Sequence, residues 1–225
     1  MSKKCLGLIV GCILLVGCAT GVDNVKLYQP LEYEPQQKSV VYASASEYKP
    51  VEGNKILLAL RRVSDSRPDI SVIGVKKNTY GMPMGKVDVE KGKVFIDLFT
   101  QNLVEVLNRA GFEVIEPQKY KILHEEKKQE AKLLLDADVR TFWVECMPGF
   151  WAVSADSNVI FEIHLFNAET NQEIWSETFR GKGHVPGLAI DRKGFEQSIN
   201  MAYSEAMKSF YKVISDENFR QNILK

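Results

Sequence analysis

The chain has 225 residues, 45% hydrophobic and 26% charged, which excludes wholesale disorder and collagen-like repeats and fits one globular domain of ordinary size. Lysine plus arginine and aspartate plus glutamate are balanced at 29 each. That balance lacks the basic footprint of a nucleic-acid binder, so no nucleic-acid partner is expected.

In chain order, Lys3 and Lys4 precede an uncharged apolar run over residues 5–17. A basic start and an apolar core too short for a comfortable membrane span read as a signal peptide over residues 1–17. The run ends in Leu15-Val16-Gly17-Cys18, which resembles the lipobox of bacterial lipoproteins. The resemblance implies cleavage before Cys18, a diacylglycerol on its sulfur and an acyl chain such as palmitate on its new amino group. Ala19, rather than Asp, follows the cysteine. By the same resemblance the chain is expected on the periplasmic face of the bacterial outer membrane. Cys5 and Cys12 would leave with the signal, so Cys146 is the one thiol left and no intrachain disulfide is expected.

Residues 18–54 read as the lipidated N-terminus and a tether, with Pro30, Pro35 and Pro50 and little periodicity. A flexible chain of that length spans roughly 33 Å r.m.s.. Ser39–Tyr42 could add an edge strand. Residues 55–225 read as one globular domain. Its first strand is Lys55–Val63, followed by a polar, Gly-rich connection over 64–92 with a short hairpin possible around Val87–Val89. Residues 93–110 carry Phe95, Phe99, Leu103 and Leu107 at helical spacing, and Gly111 stands where a helix ends. Phe112–Ile115 is a short strand, and Tyr120–Lys132 a charged helix. Asp136–Glu145, Asn158–Phe166 and Gln172–Arg180 alternate as strands, the last two joined as a hairpin. Gly181, Gly183, Pro186 and Gly187 suggest an irregular loop. Arg192–Ile214 is a long helix with Phe195, Ile199, Tyr203, Ala206 and Phe210 on one stripe. The order β-α-β-(α)-β-β-β-α gives an α/β (α+β) two-layer sandwich, a mostly antiparallel mixed sheet covered by two long helices.

The lipobox, the first strand running into Asp65-Ser66-Arg67, the helix from Phe99-Thr100-Gln101-Asn102-Leu103 to Arg109-Ala110-Gly111-Phe112, and the closing hairpin and helix together resemble the YajG-like family of bacterial lipoproteins. The element order is also similar to the N-terminal domain of TolB and to LpoB-type domains. These resemblances imply a lipid-tethered docking domain that binds another cell-envelope component rather than a catalyst.

Candidate chemistry is sparse. His124, His164 and His184 share no metal-ligand spacing, and nothing calls for a metal or cofactor. Ser154 and Asp156 with His164 or His184 could complete a hydrolase triad, but no nucleophile-elbow motif accompanies them. Asp65 and Arg67 are either an anion contact or a pin for their loop. Two apolar loops, one with Met82 and Met84 and one with Met147, Phe150 and Trp151, are candidate partner-binding surfaces or covers for the sheet edge. A carrier of a small ligand or lipid, with a pocket between helices and sheet, is the alternative to docking. An envelope hydrolase is the other.

Overall fold

The computed structural model describes residues 21–35, 48, 50–78, 80–117, 131–148, 152–187 and 189–224. Its elements are β1 (Val22–Val25), β2 (Ile56–Asp65), β3 (Gly74–Lys77), β4 (Pro83–Val89), α1 (Phe95–Arg109), β5 (Phe112–Ile115), β6 (Leu133–Pro148), β7 (Val153–Asn167), β8 (Glu173–Gly187), α2 (Arg192–Ile214) and α3 (Glu217–Asn222). The eight strands form one mixed sheet. The long pairings, β6 with β7 and β7 with β8, are antiparallel. The β2–β5, β2–β6, β3–β6 and β1–β4 pairings are short and parallel. The α/β sandwich read from the sequence is the observed fold.

Alternation decides the faces. Along β7 the odd positions Ala155, Ser157, Val159, Phe161, Ile163 and Leu165 are buried, as a strand with one face on a core requires. α1 and α2 cover this face. Phe95 meets Phe142 at 4.4 Å between ring centroids, Phe99 meets Phe161 at 5.5 Å and Phe210 meets Phe179 at 5.1 Å. α2 opens on an Asp191 cap, whose carboxylate accepts the Gly194 N–H. α1 ends at Gly111, whose φ of 89° is a left-handed conformation that a side chain would disfavour.

Two expectations are corrected here. The glycines after Arg180 do not make a loop: β8 runs on to Gly187. An added Cβ at Gly181 would stand 2.0 Å from the Ala202 carbonyl oxygen, and one at Gly183 would stand 2.0 Å from that of Ser198. These glycines let α2 lie directly on the strand, which is why residues with loop character sit inside a sheet.

The second correction concerns the tether. Residues 22–25 form β1, beside β4, and the following stretch to Tyr33 lies along α2. Val25 and Leu31 are fully buried. Glu196, Asn200, Ser204 and Lys208, four residues apart on α2, hold its backbone in turn. Glu196 accepts the Lys26 N–H at 2.9 Å. Asn200 accepts the Tyr28 N–H at 2.8 Å and donates to the Lys26 carbonyl at 2.7 Å. The Ser204 hydroxyl donates to the Pro30 carbonyl, and the Lys208 ammonium to that of Tyr33. Tyr28 donates its hydroxyl to Glu196, and that bond pushes its phenol pKa up. The segment is therefore part of the domain. Ser39–Val41, Tyr42 and the charged helix read over 120–132 lie outside the described residues, the helix up to its last two positions.

Candidate functional site

Register places several connections at one end of the sheet. β3 runs parallel to β6, with Val75 opposite Glu145. Its hairpin turn to β4 therefore lies toward the end of β6, where Pro148 faces Val153 and Val153 faces Gly187. β1 runs parallel to β4 from Val22 opposite Lys86, so the chain joins the sheet from this same end. The Gly21 carbonyl accepts the Lys86 N–H at 3.0 Å.

The β3–β4 turn is built by one side chain. Asn78 Oδ1 accepts the N–H groups of Tyr80, at 3.0 Å, and of Met82, at 2.9 Å. The Asn78 N–H donates to the Met82 carbonyl, and Gly81 takes a φ of 78°. An Asn that satisfies turn amides fixes the loop without outside help. The turn holds Tyr80 85% exposed and Met82 54% exposed. Exposed, preorganised apolar side chains lose little entropy when something covers them.

Of the residues singled out in the sequence, Met82 is thus in a presented turn. Met84 is not in a loop: it lies in β4, half-buried, with its sulfur near the Asn78 amide. Met147 likewise belongs to β6, whose ladder runs through Met147 and Pro148 before the chain turns. Phe150, Trp151 and Cys18 lie outside the described residues.

Asp65 and Arg67 form a pin. The Arg67 guanidinium donates Nε and Nη2 to the two Asp65 carboxylate oxygens, each at 2.8 Å. Nη1 donates to the Val72 carbonyl at 3.0 Å, and the guanidinium carbon sits 4.2 Å over the Phe95 ring. Arg67 is 6% exposed. With a further bond from Nη1 to the Phe142 carbonyl at 3.4 Å, the pair pins the β2–β3 connection against β6 and α1.

Ser154, Asp156 and His184 do meet. Ser154 Oγ donates to Asp156 Oδ2, and His184 Nδ1 pairs with Asp156 Oδ1 at 2.6 Å. The order is wrong for a nucleophile relay, in which histidine stands between serine and carboxylate. The trio lies on the outer sheet face, where the His184 side chain is 61% exposed. His164 is elsewhere, paired with Glu173 at 3.0 Å. The hydrogen bonds Glu173 receives from Ser176 and His164 hold its carboxyl below the usual range. Among the described residues no cluster of His, Cys, Asp and Glu could hold a metal, and no helix is long and apolar enough to cross a membrane.

A groove of about 770 Å³ lies where the α1 N-terminal turns meet β2 and β6, lined by Arg61, Arg62, Asp97, Gln101, Glu116 and Asp136. A register shift between Leu60 and Arg62 lets consecutive arginines reach one carboxylate. Arg61 makes two bonds of 2.9 Å to Asp136, and Arg62 one of 3.3 Å. This cluster around the buried Asp136 is not legible in the sequence, because an alternating strand reads Asp136 as solvent-facing.

No family model matches the chain, and no curated protein is similar enough to match. Solved structures do match. A protein described as a neuraminyllactose-binding hemagglutinin homolog from Helicobacter pylori superposes with a TM-score of 0.53 at 13% identity, covering 89% of this chain and 97% of that one. A DUF330 protein from Xanthomonas campestris gives 0.50 at 14% identity, covering 90% and 99%. At such identities the likeness is one of fold, extending over nearly the whole of each of these bacterial proteins.

Proposed function

We propose that this chain is a lipid-anchored accessory protein of the bacterial envelope, facing the periplasm from the outer membrane and acting by contact with another envelope component rather than by catalysis. Cys18 is the lipid attachment point in this reading. The contact surface is the connection holding Phe150 and Trp151, at the sheet end that also carries Tyr80 and Met82. The observation that carries it is the Asn78-built turn, which keeps two large side chains in solvent at the end where the chain arrives from the lipobox. The disorder of roles in the Ser154, Asp156 and His184 trio argues against hydrolysis.

The test has two parts. Cys18→Ala should abolish lipidation and release the protein from carbonate-washed membranes; retention of the variant would overturn the anchor. A photocrosslinking residue at Phe150 should capture one defined envelope component in intact cells, whereas the same residue at Ile174, at the other end of β8, should not. Equal capture from both positions would overturn the contact surface.

The groove at Arg61 and Asp136 favours a second reading, a carrier of a small ligand. Its arginines are engaged with Asp136, so an acidic ligand would have to displace an existing bond. Native mass spectrometry of the purified protein, with a bound mass retained, would support the carrier.

A further inference from the structure

The sheet end with Tyr80 and Met82 has a geometrical relation to the lipobox that the tether reading hid. β1 begins at Val22, four Cα steps after Cys18. Four steps of extended chain reach about 14 Å at most. Whatever holds Cys18 therefore lies within that distance of Val22, and Val22 sits beside Lys86 on the strand that starts at the Tyr80–Met82 turn. The approach is tight as well as short: a Cβ on Gly85 would stand 2.7 Å from the Gly21 carbonyl oxygen. The length of chain outside the structure, and the place where it joins, leave no room for the domain to stand away from an anchored cysteine.

Among the described residues, three side chains at this end are exposed and apolar in whole or part: Tyr80, Met82 and Val22, the last 52% exposed. An aromatic with a polar tip suits the headgroup layer, where one end is dry and the other wet. Lys76 and Lys77 stand there paired with Asp23 and Glu145. We propose that this end of the sheet rests on the bilayer surface itself, with the Tyr80–Met82 turn seated in the headgroup layer beside the lipid-bearing N-terminus. The inference depends on the Cys18 anchor proposed above and names lipid as the occupant of the Tyr80–Met82 turn, leaving the Phe150–Trp151 connection at the same sheet end to the envelope component. The 15-residue strands β7 and β8 then stand up from the membrane, and their far end lies about 46 Å away.

The test uses the full chain, purified as the processed protein and reconstituted in phosphatidylethanolamine–phosphatidylglycerol vesicles. A nitroxide is attached through Met82→Cys or, as the reference, Ile174→Cys, each with Cys146→Ser. Expected is an oxygen-to-nickel-chelate collision ratio several-fold higher at 82 than at 174. Equal ratios on protein that stays with the vesicles would overturn the seated turn and leave the anchor standing. Low collision with both reagents at 82 would mean a protein cover, a second copy included, and would overturn it too. Loss of the chain from vesicles, matched by an unaltered Cys18→Ala variant, would remove the anchor and the inference together. If Met82→Cys lowers the melting temperature, Tyr80→Cys takes its place.

Discussion

Asn200 holds both sides of the Lys26–Tyr28 stretch, accepting from the Tyr28 N–H at 2.8 Å and donating to the Lys26 carbonyl at 2.7 Å. A single helix side chain thereby does for this segment what a neighbouring strand would do. Asn200→Ala orphans a backbone donor and an acceptor and should cost about 2–3 kcal/mol. Denaturant melting measures the loss, and limited proteolysis should cut within residues 26–35 of the variant before it cuts elsewhere. Wild-type resistance in that segment would show the rest of the ladder to be sufficient.

Gly183→Ala places a methyl group 2.0 Å from the Ser198 carbonyl oxygen and 2.5 Å from Ser157 Oγ. Backbone on one side and the Ser157–Ser198 clasp on the other leave no flexible neighbour to give way. The variant should lose about 2–3 kcal/mol in a thermal or denaturant melt. Gly81→Ala, in open space, should lose only the smaller amount due to its positive φ.

Arg67→Met leaves Asp65 and the Val72 carbonyl without their guanidinium partner. A loss of about 3 kcal/mol is expected, with membrane retention unchanged. Adding Asp65→Leu should recover part of that loss, since removing both charges leaves none buried and unpaired. If Asp65→Leu instead deepens the loss, the carboxylate has a further role.

Tyr203 is fully buried between Phe99 and Phe142. Burial pushes its phenol pKa well up, with Asn102 pulling weakly the other way. A raised folded-state pKa contributes stability that is fully present below the unfolded value, about 10 for tyrosine. That contribution is lost as pH rises, because the unfolded phenol ionises first. Stability should therefore fall above about pH 10, and Tyr203→Phe should flatten that fall while staying within about 0.5 kcal/mol of wild type at neutral pH. Denaturant melts from pH 8 to 11 on both proteins measure the difference. A parallel fall in the two proteins would assign the slope to other groups.

The elements with regular hydrophobic period were legible in the sequence. The stripe from Phe95 to Leu107 gives α1, and that from Phe195 to Phe210 gives α2 over the expected Arg192–Ile214. What escaped was decided by partners far apart in sequence. Val22–Val25 has too few residues to announce a strand, and it becomes one only beside β4. The Glu196, Asn200, Ser204 and Lys208 stripe reads as a solvated face, yet Asn200, Ser204 and Lys208 are buried because the N-terminal segment satisfies them. Gly181 and Gly183 read as loop because helix contact, not turn geometry, required them. Of the candidate site, Met82 was visible as an apolar residue in a turn. Its nearness to the lipobox was not, since that follows from the β1–β4 register.

The parallel register of β1 on β4 also governs how the molecule answers a pull. A force on Gly21, directed along the strand away from the sheet, loads the β1–β4 ladder in shear, so its bonds resist together. An antiparallel hairpin pulled from its open end would instead yield one bond at a time. Should β1 slip, the Asn200 and Ser204 bonds to the Lys26–Pro30 backbone come under load next, along the helix axis rather than across it. Resistance to extraction by this route is set by the rate of unfolding rather than by equilibrium stability, which makes these few bonds the mechanical joint between the domain and whatever holds its N-terminus.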